Sequence, residues 1–336
     1  MFTIKDIAQQ AGVSKTTVSR VLNNSGYVGK DTRERIEAII QNNNFSPSAT
    51  ARSLSKRETN TIGVMVPSAD NRFFSAVLKG ITKIVDKYNL TLIYCNTDES
   101  VAKEQKALLM LREQWVRGLI LTPTVDYSEK AAARHFKKLV NDLNIPVVIM
   151  DRPIEYVDWD GVFFDGYKGS YQAVEALIKE GHRKIANITG DLNIRIARER
   201  FEGYKQALID HGIEVEDKYI YKGNFTMEKA YQLSMQCLSM EDPPTAVHTS
   251  NNDTSLGFLK AVTEKGLKIP QDIAFIGFDA LDTLDAIGVR YSFVDRDTEK
   301  MGITAMELLL ERIAHADQPK REVIFPPILV LTGSEK

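Results

Sequence analysis

The hydrophobic rhythm of the chain changes near residue 60. Before that point apolar residues are sparse and recur every three or four positions. Ile7, Ala8 and Ala11 follow Thr3, with Asp6 three residues after the threonine. This spacing predicts a short helix opened by a reciprocal Thr3/Asp6 cap and stopped at Gly12. Ser14 then caps a second helix whose inner stripe is Val18, Val21 and Leu22. After a loop holding Gly26 and Gly29, Asp31 or Thr32 opens a third helix, with Ile36, Ile39 and Ile40 turned inward.

From Asn60 onward the pattern becomes near-continuous apolar runs. They are "TIGVMV" (61–66), "LTLIYC" (90–95), "GLILT" (118–122), "PVVIM" (146–150), "GVFF" (161–164), "KIANIT" (184–189), "TAVHT" (245–249) and "IAFIGF" (273–278). Amphipathic stretches of helical length separate most of them, such as 73–88, 103–114, 167–180, 197–211 and 254–265. Buried strands alternating with helices imply parallel sheets covered on both faces. Eight such strands fit two doubly wound parallel-sheet lobes of an α/β body. The expected organisation is a small all-α helix-turn-helix headpiece over 1–45, a linker over 46–60 and a two-lobed body over 61–336. The lobe boundary is expected near 156–161. One lobe then holds about 61–158 and 294–322, and the other about 159–293 and 323–334.

Charge sharpens the division. The chain nets −2, but residues 1–60 carry +4, which leaves −6 on the remainder. A basic module on an acidic body suggests that the first part meets a polyanion. No stretch reaches the roughly 20 apolar residues of a membrane span. The N-terminal residues are charged and lack an apolar signal core, so the expected location is the cytoplasm. Cys95 and Cys237 stand alone, in the pattern of buried free thiols, and no metal or cofactor motif is present. The five histidines are scattered, with no nucleophile, metal or phosphate-loop arrangement, so an enzyme is not expected.

The face of the second helix opposite its valines carries Lys15, Thr16, Ser19 and Arg20, with Thr17 beside them. Lysine and arginine donate to guanine edges, and hydroxyls reach bases or phosphates without filling the groove. Ser14 sets the helix N-terminus where it can approach a phosphate. Thr3 joins these as a candidate DNA contact.

At these residues the chain resembles the LacI/GalR family of bacterial transcription regulators. The resemblance runs through "TIKDIAQQAGVSKTTVSRVLN", "TRERIEAIIQNNNFSPSATARSLS", "DGYKGSYQAVEALIKEGHRKIANITG", "PTAVHTSNNDTSLGFLKAVTEKGLKIPQDIAFIGFD" and "IFPPILVLTGS". It implies lobes of the periplasmic-binding-protein type and base reading by Lys15, Thr16 and Arg20. In the linker, Ser46-Pro47 starts a helix of about two turns, too short to be stable alone in water. The resemblance implies that it folds against the DNA minor groove, with Leu54 wedged between bases and Ala51 and Arg52 beside it. A lobe closure that moves two such hinges then switches DNA affinity.

Ligands of doubly wound folds bind at the carboxyl ends of the strands. Candidates by that rule are Asp151, Arg152, Asn252, Asp253, Asp279, Arg195, Arg198 and Phe225. Phe225 or Phe73 offers an aromatic face to a sugar. The resemblance implies effector contacts at Asp151, Arg198, Phe225, Asn252 and Asp279. The sequence departs from the family pattern at Asn71-Arg72, at Asp165-Gly166 and at Arg296, where many relatives carry glutamine. Convergence of Arg195, Arg198 and Arg296, with Arg72 near the mouth, predicts an anionic sugar derivative. Neutralisation by Asp151, Asp295 and Asp297 instead predicts a neutral sugar. The expected function is a dimeric repressor of carbohydrate genes on a palindromic operator, switched by this effector. A corepressor-dependent regulator or activator of the family is the alternative. A ligand-binding protein without DNA function is more remote.

Overall fold

A computed structural model of the 336-residue chain describes residues 2–22, 24–43, 45 and 59–336. The hinge calls Ala51, Arg52 and Leu54 lie outside the described residues. The chain divides into two units, Met1–Thr59 and Asn60–Lys336.

The small unit packs α1 (Ile4–Ala11), α2 (Lys15–Leu22) and α3 (Lys30–Asn42) around Ile7, Val18 and Ile36, each fully buried. Thr3 and Asp6 form the expected reciprocal cap: each side chain accepts from the other's backbone N–H. Gly12 closes α1 in the left-handed region at φ 65°, and its N–H reaches back to Ala8 and Gln9. Ser14 Oγ accepts from Thr17 N–H at 3.1 Å and so starts α2. The third helix begins slightly earlier than the sequence suggests. Its cap is Gly29, with no side-chain hydrogen bond, rather than Asp31 or Thr32.

The large unit holds two six-stranded sheets. The first contains β1 (Thr61–Val66), β2 (Thr91–Asn96), β3 (Gly118–Leu121), β4 (Val147–Met150), β5 (Asp160–Phe164) and β11 (Glu322–Phe325). Its order is β11-β5-β4-β3-β1-β2, parallel throughout. The second contains β6 (Ile185–Ile188), β7 (Ile220–Tyr221), β8 (Ala246–Thr249), β9 (Ala274–Phe278), β10 (Ser292–Asp295) and β12 (Ile328–Val330). It repeats the order as β12-β10-β9-β8-β6-β7, with β12 antiparallel to β10. Strands β3, β4, β6 and β8 are buried along their whole length, the pattern expected where helices cover both faces.

The strand pairing corrects the expected lobe boundary. Strand β5 pairs with β4 and β11 in the first sheet, so the chain crosses to the second lobe after Phe164. It returns after β10 into the first lobe, and crosses again between β11 and β12. Residues 159–164 and 323–325, assigned by sequence to the second lobe, therefore belong to the first.

The first lobe's inner helices are α4 (Arg72–Lys87) and the helix Thr298–Ala314. They approach so closely that a Cβ on Gly80 would lie 2.0 Å from the Glu299 carbonyl oxygen. The second lobe pairs Gly166–Lys179 with Arg195–Asp210 in the same way, through Gly203 against the Tyr167 carbonyl. One apolar core runs through both pairs and through the crossovers, where Phe164 meets Phe278 edge to face at 5.8 Å. Cys95 and Cys237 are free and buried. Among the described residues, no helix is long and apolar enough to cross a membrane.

Candidate functional site

On the small unit, burial of Val18 and Val21 rotates the rest of α2 outward. Ser14, Lys15, Thr16 and Arg20 are exposed, and Thr17 and Ser19 are half-buried at the edge of that face. Ser14 and Thr17 also bond hydroxyl to hydroxyl at 3.0 Å, which orders the first turn. Thr3 is exposed, but its hydroxyl and N–H are both engaged by Asp6. Tyr27, in the loop after α2, is 90% exposed and was not among the sequence candidates. A fully exposed aromatic beside the basic helix is a surface feature that apolar periodicity cannot detect.

The large unit has its own site. In each sheet the order reverses between the first and third strands, at β1/β3 and at β6/β8. Connections leave to opposite faces there, which opens a crevice at the strand ends. The two crevices face one another across a cavity of about 630 Å³. Ser68 and Asn71 follow β1, and Thr124 and Asp126 follow β3. Asp191 follows β6, and Asn251 and Asn252 follow β8; all of these line the cavity.

Five of the eight predicted effector residues line it: Phe73, Asp151, Phe225, Asn252 and Arg296. Asp279 does not; it lies beneath Arg296 and clamps it. Arg296 Nε and Nη2 donate to the two Asp279 carboxylate oxygens at 2.7 and 2.8 Å, and Nη1 is 3.4 Å from Asp151. Its guanidinium lies 3.9 Å from the Phe73 ring centroid. Burial opposes the charge on Arg296, but Asp279 and Asp151 outweigh it and hold the pKa above the ordinary value.

The expected convergence of arginines does not occur. Arg195 points away from this cavity and pairs with Glu199 and Glu155. Arg198 pairs with Asp126 at 2.6 Å and does not line the cavity itself. Arg72 is exposed at the start of α4, outside the lining. Arg296 is ion-paired with Asp279 and Asp151; Asp295 adds a lesser attraction without an ion pair, and Asp297 is not among its partners.

Beside Arg296 and Arg152, the cavity is reached by Arg200, which the sequence reading missed. It is 3% exposed, and its Nη1 donates to the Ser250 carbonyl. Its buried Nε has no hydrogen-bond partner, and among the described residues no carboxylate lies within ion-pair distance. Its guanidinium rests 4.1 Å from the Phe278 ring centroid. Burial, then repulsion from Arg296, pulls its pKa down to about 10, so it remains charged at neutral pH. Arg152, also in the lining, has its charge paired by Glu99 at 2.7 and 2.9 Å and its Nη1 bonded to the Thr124 carbonyl, although its Nε, like that of Arg200, is buried without a partner.

Backbone strain gathers here. Asp151, Phe225 and Asp279 hold φ values of 64°, 66° and 68°. Aspartate tolerates this region, whereas a phenylalanine there is strained. Phe225 is held by its neighbours. Asn251 Nδ2 donates to its carbonyl, and its ring lies so close to Gly190 that a Cβ there would be 2.1 Å away. These contacts fix the Phe225 ring as an aromatic wall of the cavity. Among the described residues no cluster of His, Cys, Asp or Glu is arranged to hold a metal.

Comparison with known proteins matches both units. Residues 3–48 fit the family described as bacterial regulatory proteins, lacI family. Residues 59–332 fit periplasmic binding proteins and sugar binding domain of LacI family. The chain is 37% identical over 336 residues to the HTH-type transcriptional repressor PurR of Vibrio atlanticus, covering 100% of this chain and 99% of that one. It is 33% identical to the PurR of Photobacterium profundum, with the same coverage. Among solved structures, the lac repressor dimer bound to operator and the anti-inducer ONPF superposes with a TM-score of 0.87. That pair shares 26% identity, and the match covers 99% of both chains. A LacI family regulator from Enterococcus faecium with bound ribose matches at TM-score 0.72 and 28% identity, over 82% of this chain and 98% of that one. The chain belongs to the LacI family of bacterial regulatory proteins and is a DNA-binding transcriptional repressor, not an enzyme.

Proposed function

We propose that this repressor acts in the cytoplasm as a homodimer, reads an inverted-repeat operator with α2, and is switched by a small polar effector in the interlobe cavity. The observation that carries the proposal is the pairing of two features on separate units. One is an exposed Lys15/Thr16/Arg20 face on a capped helix; the other is a polar cavity at two strand-order reversals. Lys15 and Arg20 donate to base edges, Thr16 reads bases, and Thr3, Ser14, Thr17, Ser19 and Tyr27 adjoin the backbone. One such helix covers few base pairs, so two related by a twofold axis are needed for a useful site. Ala51, Arg52 and Leu54 are assigned to the minor groove on the family resemblance.

The effector is proposed to be a sugar or a sugar acid with one acidic group. Asn71, Asn252, Asp253 and Asp191 suit hydroxyls, and Phe225 suits a ring's C–H face. Asp279 already neutralises Arg296, so the cation left for an acidic or strongly accepting group is Arg200. A second reading rests on the phenylalanine walls and on Ile194 and Ile196. These favour a planar heteroaromatic ligand whose acceptor edge meets Arg200.

Titration calorimetry with neutral sugars, sugar acids and purine bases tests the effector. Binding of one class, abolished by Arg200→Met with folding intact, is the expected result. Tight binding that survives Arg200→Met removes Arg200 from the site.

A further inference from the structure

The first lobe carries a groove that neither the reading helix nor the interlobe cavity uses. It lies between two further helices, α5 (Val101–Glu113) and α6 (Lys130–Asn141). Leu108 and Leu111 of α5, and Ala133, Phe136 and Val140 of α6, turn inward into one apolar core. Outside that core, Gln105, Leu109 and Arg112 follow at i, i+4 and i+7 along α5. His135, Leu139 and Leu143 recur every four positions along and just past α6, so each set forms one row. Both rows line the same groove, about 160 Å³ in volume, with the buried Leu108 in its wall. An apolar cavity of about 150 Å³ holds a benzene ring, so this groove takes one large apolar side chain. Leu109 at its edge is 52% exposed.

Charge selects the occupant. Helix α6 carries Lys130, Arg134, Lys137 and Lys138 and no carboxylate, on a body that nets −6 from residue 61. Lys103 pairs with Asp98, and Lys137 with Asp158. Lys106, Arg112, Arg134 and Lys138 are exposed and make no ion pair among the described residues. Arg112 lines the groove, the Arg134–Lys138 row runs beside the His135–Leu139 row, and Lys106 adjoins Gln105. Unpaired cations thus rim an apolar slot whose lining holds one carboxylate, Asp142. A nucleic acid would use the rim and gain nothing from the leucines. An acidic amphipathic helix uses both, with an apolar anchor in the slot and carboxylates at the rim.

We propose that this groove docks an acidic amphipathic helix of another protein, with one leucine-like or phenylalanine-like anchor between Leu109 and Leu139 and carboxylates on Arg112, Arg134 and Lys138. The groove and the interlobe cavity share no lining residue, so such a partner leaves the cavity clear.

The probe is a labelled, stapled helical peptide of alanine and glutamate with leucines at i, i+4 and i+7, titrated by anisotropy against the full-length protein. Saturable binding that weakens with added salt is expected. A peptide of the same composition with its leucines scattered around the helix is expected to bind at least about tenfold more weakly. Leu109→Gln, and Arg112→Glu combined with Lys138→Glu, are each expected to weaken the patterned peptide by at least about tenfold with thermal midpoints unchanged. Loss in Leu109→Gln places the peptide in the groove rather than on the basic headpiece. Absence of saturable binding overturns the proposal, as does full binding by Leu109→Gln. Equal binding of the scattered peptide also overturns it, because the rim then holds any polyanion. A lower oligomeric mass for Leu109→Gln than for the parent, by light scattering, overturns it too, since a second copy of the chain then fills the groove.

Discussion

At the scale of single residues the cavity is a set of charges already accounted for, plus one that is not. Arg296 is locked between Asp279 and Asp151 with almost no water. Removing its charge strands two poorly solvated carboxylates. Arg296→Met is therefore expected to lower unfolding stability by about 3–5 kcal/mol, read from urea denaturation midpoints. A neutral or stabilising result would mean that water replaces the arginine. Arg200 shows why the sequence misled. "ARER" places Arg198 and Arg200 two positions apart on a helix, about 200° around its axis. The sequence cannot say which of the two turns inward. The structure turns Arg200 in, against Phe278 and Phe225, and leaves Arg198 43% exposed at its side chain. The departure at Arg296 is legible in the sequence; its ion pair with Asp279, which the resemblance makes an effector contact, is not, because nothing in one dimension shows a bond 17 residues apart.

At the scale of elements, close helix packing positions the cleft. Gly80 and Gly302 bring α4 against Thr298–Ala314 backbone to backbone. Gly80→Ala is expected to push these helices apart and cost at least about 1–3 kcal/mol, seen as a lower thermal midpoint. Gly29→Ala, where nothing lies within 4 Å of the added carbon, should cost far less. Equal effects would show that the close approach is not what matters at Gly80. Strands β1, β3, β4, β6, β8 and β9 were readable because burial on both faces makes them uninterrupted apolar runs. The strands β7 and β10–β12 were not, being only partly buried and set by pairing with distant segments. Strand β5 was visible, but "GVFF" is equally apolar in either sheet. Pairing with β4 and β11, not composition, decides its lobe.

At the scale of the whole molecule, pH probes the second lobe. His248 is fully buried, with Nδ1 3.0 Å from the Ile276 carbonyl and Nε2 3.1 Å from Ser170 Oγ. The carbonyl makes Nδ1 the donor, and in the neutral ring Nε2 then accepts from the Ser170 hydroxyl. Burial pulls its pKa down from 6.5 to about 4. Between those values the unfolded chain takes up a proton that the folded chain refuses. Stability is therefore complete above pH 6.5 and declines as pH falls toward 4, by about 3 kcal/mol in full. His182, also lowered by burial, acts in the same direction. Denaturation midpoints measured from pH 7 to 5 should fall, and less steeply in His248→Asn. A flat profile in the parent would show that the buried imidazole is not the titrating group.

The division of labour between the two units has a direct test in DNA binding by the full-length protein. Fluorescence anisotropy on an inverted repeat selected from random duplexes should show strong preference over random DNA. Arg20→Ala should weaken that specific binding by about 1–3 kcal/mol per headpiece while leaving non-specific binding largely unchanged. Equal affinity for the selected repeat and for random duplexes, or an Arg20→Ala variant that keeps full preference, would contradict the assignment of α2 as the reading element.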